Sequence, residues 1–441
     1  MRIDIASMHC DAIKPIVDAG TLPRACIKPL PDNGDLHSMS EIGWIDGVGL
    51  VTFTLAAILL FQPRISTSAR WRATVTPLAS IIGSGFLIIA PLLATTVGRL
   101  AEFAMAIIVV VSFGLGSAIR YIILKKPTTP DTQLPRIEHL SDIILSFAYV
   151  LSIAFYIRLL AAFVLDAVDA NSETSADILA CLVLAGIATV GKLRGLFGLE
   201  KLELVAVTLK LSIIAGLFWW LASADLRDGY DISDLIVNDQ PLWLQLTTLA
   251  GMLLIVQGFE TSKYLGDTYT PGLRASAMRN AQIISGLIYL IFIALVLPHV
   301  DALGDQPLDE TTIIDISRNI SVILPLLLIV AAVASQFSAA IADVIGAGGN
   351  IAQETRRSLS TNTAYALVCI VASAIVLLTD IFELVALASR AFACFYLLQT
   401  LFAISLVRKH EDGWKKWLYL FVFGSLALAM LFTVLFARPA D

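Results

Sequence analysis

The sequence predicts an all-α polytopic membrane protein of roughly twelve spans, arranged as an inverted five-plus-five helix repeat with one extra helix at each end. Three observations carry that prediction. Apolar runs of about 20 residues, the length that crosses a bilayer, recur along the chain. Two of these runs are interrupted near their middles by small or polar residues. The connecting segments gather basic residues on one side of the predicted membrane and acidic residues on the other.

Composition sets the class. The chain has 441 residues, of which 57% are hydrophobic and 15% charged, with a mean hydropathy of +0.82; soluble domains carry about 25% charged residues. The net charge of −6 comes with no basic patch suited to nucleic acid. Cys181, Cys369 and Cys394 lie inside apolar runs and read as small core residues, whereas Cys10 and Cys26 lie in the polar N-terminal stretch. The five histidines, His9, His37, His139, His299 and His410, sit at predicted helix ends or in loops, which argues against a buried histidine relay. No metal-ligand spacing, cofactor motif or ATP-binding motif is present, and no nucleophile–base constellation is visible. These absences argue against an ATP-driven pump and make an intramembrane enzyme a weaker rival reading.

The elements follow in order. Residues 1–42 form a polar extension without the apolar stretch of a secretory signal, and Met39 is a second candidate start. An extra transmembrane helix is expected over 43–62. Helices 1–5 are expected over 75–96, 100–122, 139–166, 177–192 and 203–223, so the first repeat spans 75–223. Helices 6–10 are expected over 242–267, 279–299, 320–348, 362–379 and 382–407, so the second spans 242–407. An additional helix is expected over 416–437. With the N-terminus outside, Arg70, Arg72, Lys125, Lys126, Arg356, Arg357, Lys415 and Lys416 fall in or beside cytoplasmic loops, as positive charge prefers. The segment 166–177 carries acids and no base, and 300–319 is similarly acidic, as outer loops tolerate. Five helices per repeat is an odd number, so the two repeats run in opposite senses.

The interrupted segments are Thr76-Pro-Leu-Ala-Ser-Ile-Ile-Gly-Ser-Gly-Phe-Leu-Ile-Ile-Ala-Pro91 and Leu253-Leu-Ile-Val-Gln-Gly-Phe-Glu-Thr-Ser-Lys-Tyr-Leu-Gly266. A bilayer core supplies no hydrogen bonds, so unwound backbone at that depth survives only where it lines a protein cavity. Paired broken helices at matching points of two halves mark a transporter's substrate site. In the first segment Ile82, Gly83, Ser84 and Gly85 are the expected break, which frees N–H groups beside a helix N-terminus suited to a carboxylate. In the second, Gln257, Gly258 and Phe259 are expected to offer carbonyl oxygens to a substrate ammonium, an amide hydrogen bond and an aromatic gate. A packing stripe of small residues is the alternative for the first, and ordinary core contact the alternative for Phe259.

Together these residues resemble the amino acid–polyamine–organocation (APC) superfamily, whose members share the LeuT-type fold. Ile82-Gly-Ser-Gly-Phe86 is similar to that family's helix 1 signature. Gly258-Phe-Glu260, followed by Pro271 and Arg274, is similar to its helix 6 signature. Gly191-Lys-Leu-Arg-Gly195 leading to Val207-Thr-Leu-Lys-Leu211 resembles its helix 4–5 region. The resemblance runs over about 74–407. It implies that Glu260 links the two half-helices and responds to protons, and that Lys210 takes the place that a bound sodium ion occupies in sodium-coupled relatives.

Charged residues inside apolar runs complete the candidate set, because charge at membrane depth is costly and tends to be functional. Removing an ammonium from water favours the neutral amine, so Lys210 at that depth is able to exchange a proton; snorkelling to the cytoplasm is the alternative. Asp343 lies at a similar depth in helix 8, and the family fold makes it the expected counter-ion or proton partner of Lys210. Arg158 in helix 3 and Arg390 in helix 10 lie in the outer halves of their helices. They are expected either to form a gate with Glu383 or Asp166, or to meet an anionic substrate, with outward snorkelling as the alternative. Tyr149, Ser152 and Tyr156 recur at i, i+3 and i+7 and are expected to face the pore. Sodium coupling would instead use Ser335 or Ser338.

The resulting expectation is a multi-pass inner-membrane secondary transporter, moving an amino acid or related small organic solute with protons by alternating access. The expected partners are a small-molecule substrate, protons and the lipid bilayer, with no metal and no cofactor. Exchange against counter-substrate is the mechanistic alternative. A transport-silent sensor that keeps the same fold is the alternative from another class.

Overall fold

The computed structural model describes residues 36–83, 85–125, 135–166, 170, 172–232, 241–266, 268–300, 312–318, 320–379 and 381–438. The chain divides into a unit Met1–Gly43 and a unit Trp44–Asp441. Of the first unit, only the start of one helix lies among the described residues. The second unit holds the remaining helices and both interrupted segments.

The described residues are almost wholly helical, as an apolar chain in lipid must be to satisfy its own main-chain groups. In order, the helices are α1 (Leu36–Phe61), a short α2 (Pro63–Ser66), α3 (Ala69–Ile81), α4 (Gly85–Val97), α5 (Ala101–Lys125), α6 (Pro135–Asp166), α7 (Glu173–Asp228), α8 (Leu242–Met252), α9 (Pro271–Val296), α10 (Thr312–Arg318), α11 (Leu324–Glu354), α12 (Thr361–Val376), α13 (Ile381–His410) and α14 (Gly413–Phe436). Eight stretches of them are long and apolar enough to cross a membrane. Two of these hold more than one passage: Gly85–Lys125 contains α4, the second half of a broken helix, and all of α5, and Glu173–Asp228 bends once.

Two sets of five passages result, each opening on a broken helix. The first runs α3/α4, α5, α6 and the two arms of α7. The second runs α8 with its continuation, then α9, α11, α12 and α13. α1 and α14 stand outside the repeat. The breaks fall where the sequence places them. α3 stops at Ile81 and α4 starts at Gly85. α8 passes into a 3-10 turn over Leu253–Val256, opens at Gln257 and Gly258, and resumes as a 3-10 helix over Phe259–Tyr264.

Several boundaries differ from expectation. The sequence places a loop over 193–202, yet α7 runs through that stretch without leaving one. The turn is made by one residue, Gly195, at φ 59° and ψ −153°. A side chain there would meet Asn362 Oδ1 at 2.7 Å, so glycine serves both the backbone angle and the close approach. α1 begins at Leu36 rather than 43, and α3 begins at Ala69 rather than 75. α10 lies in the segment that reads as an acidic outer loop.

Packing places the two broken helices at the centre. α6 lies against α11 and α13, α7 against α11 and α12, and α9 against α3 and α5. α1 approaches the second arm of α7 at Gly49, where an added Cβ would fall 2.4 Å from the buried Trp220 ring. Trp220 Nε1 donates to Asp46 at 2.8 Å, and Ser321 Oγ donates to the same carboxylate oxygen at 2.5 Å. The first of these bonds satisfies the one polar atom of the most voluminous fully buried side chain.

Candidate functional site: the crossing of two broken helices

The two breaks touch each other. A Cβ on Gly85 would lie 2.3 Å from Ile255, and one on Gly258 would lie 2.2 Å from Ser80 Oγ. Gly258 also has φ 106°, a conformation that side chains resist. Small residues therefore do two things here: they release the backbone and they let the two unwound segments cross. Ser84 lies outside the described residues.

Unwinding leaves main-chain carbonyls in need of donors, and Lys210 meets them. Its Nζ donates to Ala79 O at 2.9 Å, to Ile82 O at 2.5 Å and to Ser338 Oγ at 2.8 Å. Ser335 Oγ adds bonds to Ile82 O at 2.8 Å and Gly83 O at 3.0 Å. Lys210 is 1% exposed, so it does not snorkel. A fixed ammonium thus sits among oxygens of α3 and α11, at the first break.

Asp343 is 1% exposed in α11. It accepts from Ser80 Oγ at 2.9 Å and, closely, from Ser152 Oγ. The expected Lys210–Asp343 ion pair is not formed: three oxygens occupy the lysine and two serines occupy the aspartate. The two groups instead hold opposite sides of the segment 79–82. The carboxylate that bears electrostatically on Lys210 is Glu203, two turns earlier on α7 and absent from the sequence-based candidates.

Glu260 links the second break to its surroundings. One carboxylate oxygen accepts from Tyr149 Oη at 3.1 Å; the other accepts from Tyr396 Oη at 2.5 Å and from the freed Gly258 N–H at 3.0 Å. Phe259 is buried and stacks on Tyr396 with ring centroids 5.2 Å apart. Gln257 Oε1 has no hydrogen-bond partner among the described residues, nor has Gln336 Oε1. The tyrosine–serine stripe on α6 does face the breaks. Tyr149 reaches Glu260, Ser152 reaches Asp343, and Tyr156 Oη lies 3.5 Å from the Cβ position of Gly83. Tyr289 Oη, for which no sequence signal stood out, donates to Ile81 O at 2.9 Å.

A narrow, mainly apolar crevice opens beside the first break. Gly83, Phe86, Lys210, Ser335 and Gln336 line it, with Leu159 and Phe163 of α6. On the other side of the breaks lies a buried charged cluster. Lys263 Nζ is 3.0 Å from Asp142 Oδ1 and 3.5 Å from Glu138 Oε1. Tyr264 Oη donates to Asp142 Oδ1 at 2.7 Å, and Asn350 Nδ2 donates to the Asp142 carbonyl at 2.6 Å. This cluster ties the end of the second broken helix to α6 and α11. Sequence reasoning missed it because Glu138, Asp142 and Lys263 lie near predicted helix ends, where solvated charge is ordinary. Their spacing was the available signal: Glu138 and Asp142 share one helical face at i, i+4.

The two arginines separate. Arg158 is buried and is fixed by the Thr379 carbonyl at 2.7 Å, by Glu173 at 3.4 Å and by Asp177 at 3.4 Å. The expected partners Glu383 and Asp166 have side chains outside the described ones. Arg390 is exposed on α13, in contrast to the buried Arg158.

Comparison with known proteins agrees with this architecture. A family described as APC superfamily transporter matches residues 63–437. An uncharacterised protein of Aquifex aeolicus (strain VF5) is 39% identical over 415 residues, covering 92% of this chain and 100% of that one. Among solved structures, the nucleobase-cation-symport-1 family transporter Mhp1, in a closed conformation with bromovinylhydantoin bound, superimposes with a TM-score of 0.53. It shares 12% identity, with 83% of this chain and 88% of that one covered, a likeness of fold alone. With the family matched over nearly the whole helical region, the chain belongs to the APC superfamily of transporters.

Proposed function

We propose that this secondary transporter couples a small organic solute, an amino acid or a close relative, to protons by symport across the inner membrane. The observation that carries this reading is the seat of Lys210. Its ammonium is bonded by oxygens of α3 and α11 at the first break, where a mobile cation would otherwise be coordinated. Gaining and losing its charge alters how tightly α3 is held to α7 and α11, which is the requirement for linking protonation to alternating access. The substrate would lie at the crossing of the breaks, with the unpaired Gln257 Oε1 and Gln336 Oε1 as acceptors for its N–H groups. Glu260 and Asp343 respond to protons at the same crossing, and Phe259 closes over the ligand. Arg158, tied to Glu173 and Asp177, holds the outer ends of α6 and α7 together.

Exchange is the second reading, and one feature favours it. All three ammonium hydrogens of Lys210 have acceptors, as suits a cation that stays charged throughout the cycle. Uptake of labelled amino-acid pools, and of hydantoins and nucleobases in parallel, into proteoliposomes separates the two. Accumulation driven by an inward proton gradient supports symport. Uptake only into vesicles preloaded with substrate supports exchange. Binding without flux in either format supports a sensor.

A further inference from the structure

The crevice approaches Lys210 from one side of the membrane. On its other side, α3 and α7 meet in a ladder of polar contacts. Lys210 bonds Ala79 O on α3. One turn lower, Thr76 Oγ1 donates to Glu203 Oε2 at 2.7 Å. One turn lower again, Arg72 pairs closely with Glu200, which also accepts from Tyr269 Oη at 2.9 Å. Arg72 is 30% exposed, so the ladder ends at solvent. Positive-inside charge assigns that face to the cytoplasm.

Glu203 is the anomalous rung. It is 0% exposed, and its Oε1 has no hydrogen-bond partner among the described residues. A buried carboxylate oxygen left without a donor is costly, so a structural role alone does not account for it. Lys210 follows Glu203 by seven residues, which places both on one face of α7. Each of the two groups bears electrostatically on the other. Along α3, the partners of the two groups, Ala79 and Thr76, lie three residues apart, so Lys210 and Glu203 bond to adjacent turns of that helix.

We propose that Glu203 is the proton-relay residue between Lys210 and the cytoplasmic face, which rests on Lys210 being the coupling group. In the relay, an N–H bond of the Lys210 ammonium breaks and an O–H bond forms at Glu203 Oε1, with water carrying the proton between them. A neutral amine then faces a neutral acid. Glu203 gives the proton to water at the Arg72–Glu200 end and becomes a carboxylate again. The charged and titratable groups around it are Lys210 and Glu200 on α7, Asp343 on α11, Arg72 on α3 through Glu200, and Tyr269 before α9. The crevice is lined by Ile213, Ile214 and Leu217, beyond Lys210 on α7, and by none of the ladder's other rungs, so the two lie on opposite sides of the lysine.

Infrared titration of the full chain in proteoliposomes tests this without any substrate. The protonated-carboxyl band is followed from about pH 5 to about pH 9, a range that brackets the ordinary histidine and cysteine values. The expected result is a titrating band that disappears in Glu203→Gln, persists in Glu203→Asp, and moves its midpoint by about one unit in Lys210→Met, as interacting sites do. No titrating band lost in Glu203→Gln, or a midpoint indifferent to Lys210→Met, overturns the proposal. Proton flux into vesicles loaded with a pH dye, on addition of the amino-acid pool to the wild type, reports separately on coupling. A Glu203 band coupled to Lys210 without any wild-type flux would refute coupled amino-acid transport and leave the Lys210–Glu203 exchange standing. Flux in the wild type without the band would refute only the relay.

Discussion

Lys210 donates three hydrogen bonds from a position 1% exposed, and two of its acceptors are main-chain carbonyls that no helix satisfies. Replacing it with methionine keeps volume and removes every donor. Hydrogen bonds to charged groups contribute about 1.5–3 kcal/mol. We expect Lys210→Met to lower unfolding stability in detergent by an amount in that range and to abolish gradient-driven uptake. A variant as stable as the wild type in a chemical-denaturation assay would show that the carbonyls find other partners. Tyr396→Phe removes one of three donors to Glu260 and should cost about 1 kcal/mol, read in the same assay. At this scale the sequence was legible where charge stood alone in an apolar run: Lys210, Asp343 and Glu260 are all buried at the breaks. Glu203, Asp142 and Lys263 were not, because each lies close to where a helix was expected to end. Pairing was least legible, since Asp343 turns to two serines and leaves Lys210 to the backbone.

The broken helices were legible as elements because small residues have a physical reason to sit there. The Gly258 backbone is left-handed, and Ser80 fills the space a side chain would need. Gly258→Ala is therefore expected to abolish uptake and to lower stability by about 1–3 kcal/mol, the range for overpacking and backbone strain; normal transport by this variant would mean that the breaks separate during the cycle. The continuity of α7 was not legible. Lysines, arginines and glutamates between its arms looked like a loop, and one glycine turns the helix instead. The seat of α1 was equally hidden, for it depends on Gly49 meeting Trp220 across sequence-distant helices. Gly49→Val should displace the indole, with a red-shifted tryptophan emission as the readout. At the start of α14, the Lys125 ammonium and the Tyr121 hydroxyl beside Glu411 hold its carboxyl below the usual carboxylate range. A depressed acid stabilises the fold above its unfolded value, about 4.3, and loses that contribution as pH falls through the lower folded value. The melting temperatures of wild type and Glu411→Gln should accordingly differ at pH 7 and converge in strong acid.

Across the whole molecule, the buried Lys263–Asp142–Glu138 cluster and the Lys210 ladder lie at different points on the α3, α6, α7 and α11 framework. The first ties the second broken helix down; the second ties the first. In the proposed alternating-access cycle, opening toward the face of the cluster separates Lys263 from Asp142. Asp142→Asn should shift the population toward that open state by about tenfold, the effect of roughly 1.4 kcal/mol. Alkylation of a cysteine introduced at the buried Ser262, in a cysteine-free background, would report it as faster labelling; an unchanged rate would remove the cluster from the gating account.

A lysine seated among the carbonyls of a broken helix is a cation on a leash. Its local concentration is fixed by covalent attachment and does not fall when the medium is diluted. It is never released to either compartment, so the proposed proton-coupled cycle needs no alkali-metal gradient at this site. Replacing sodium in the medium by potassium or choline at constant ionic strength should leave the transport rate unchanged.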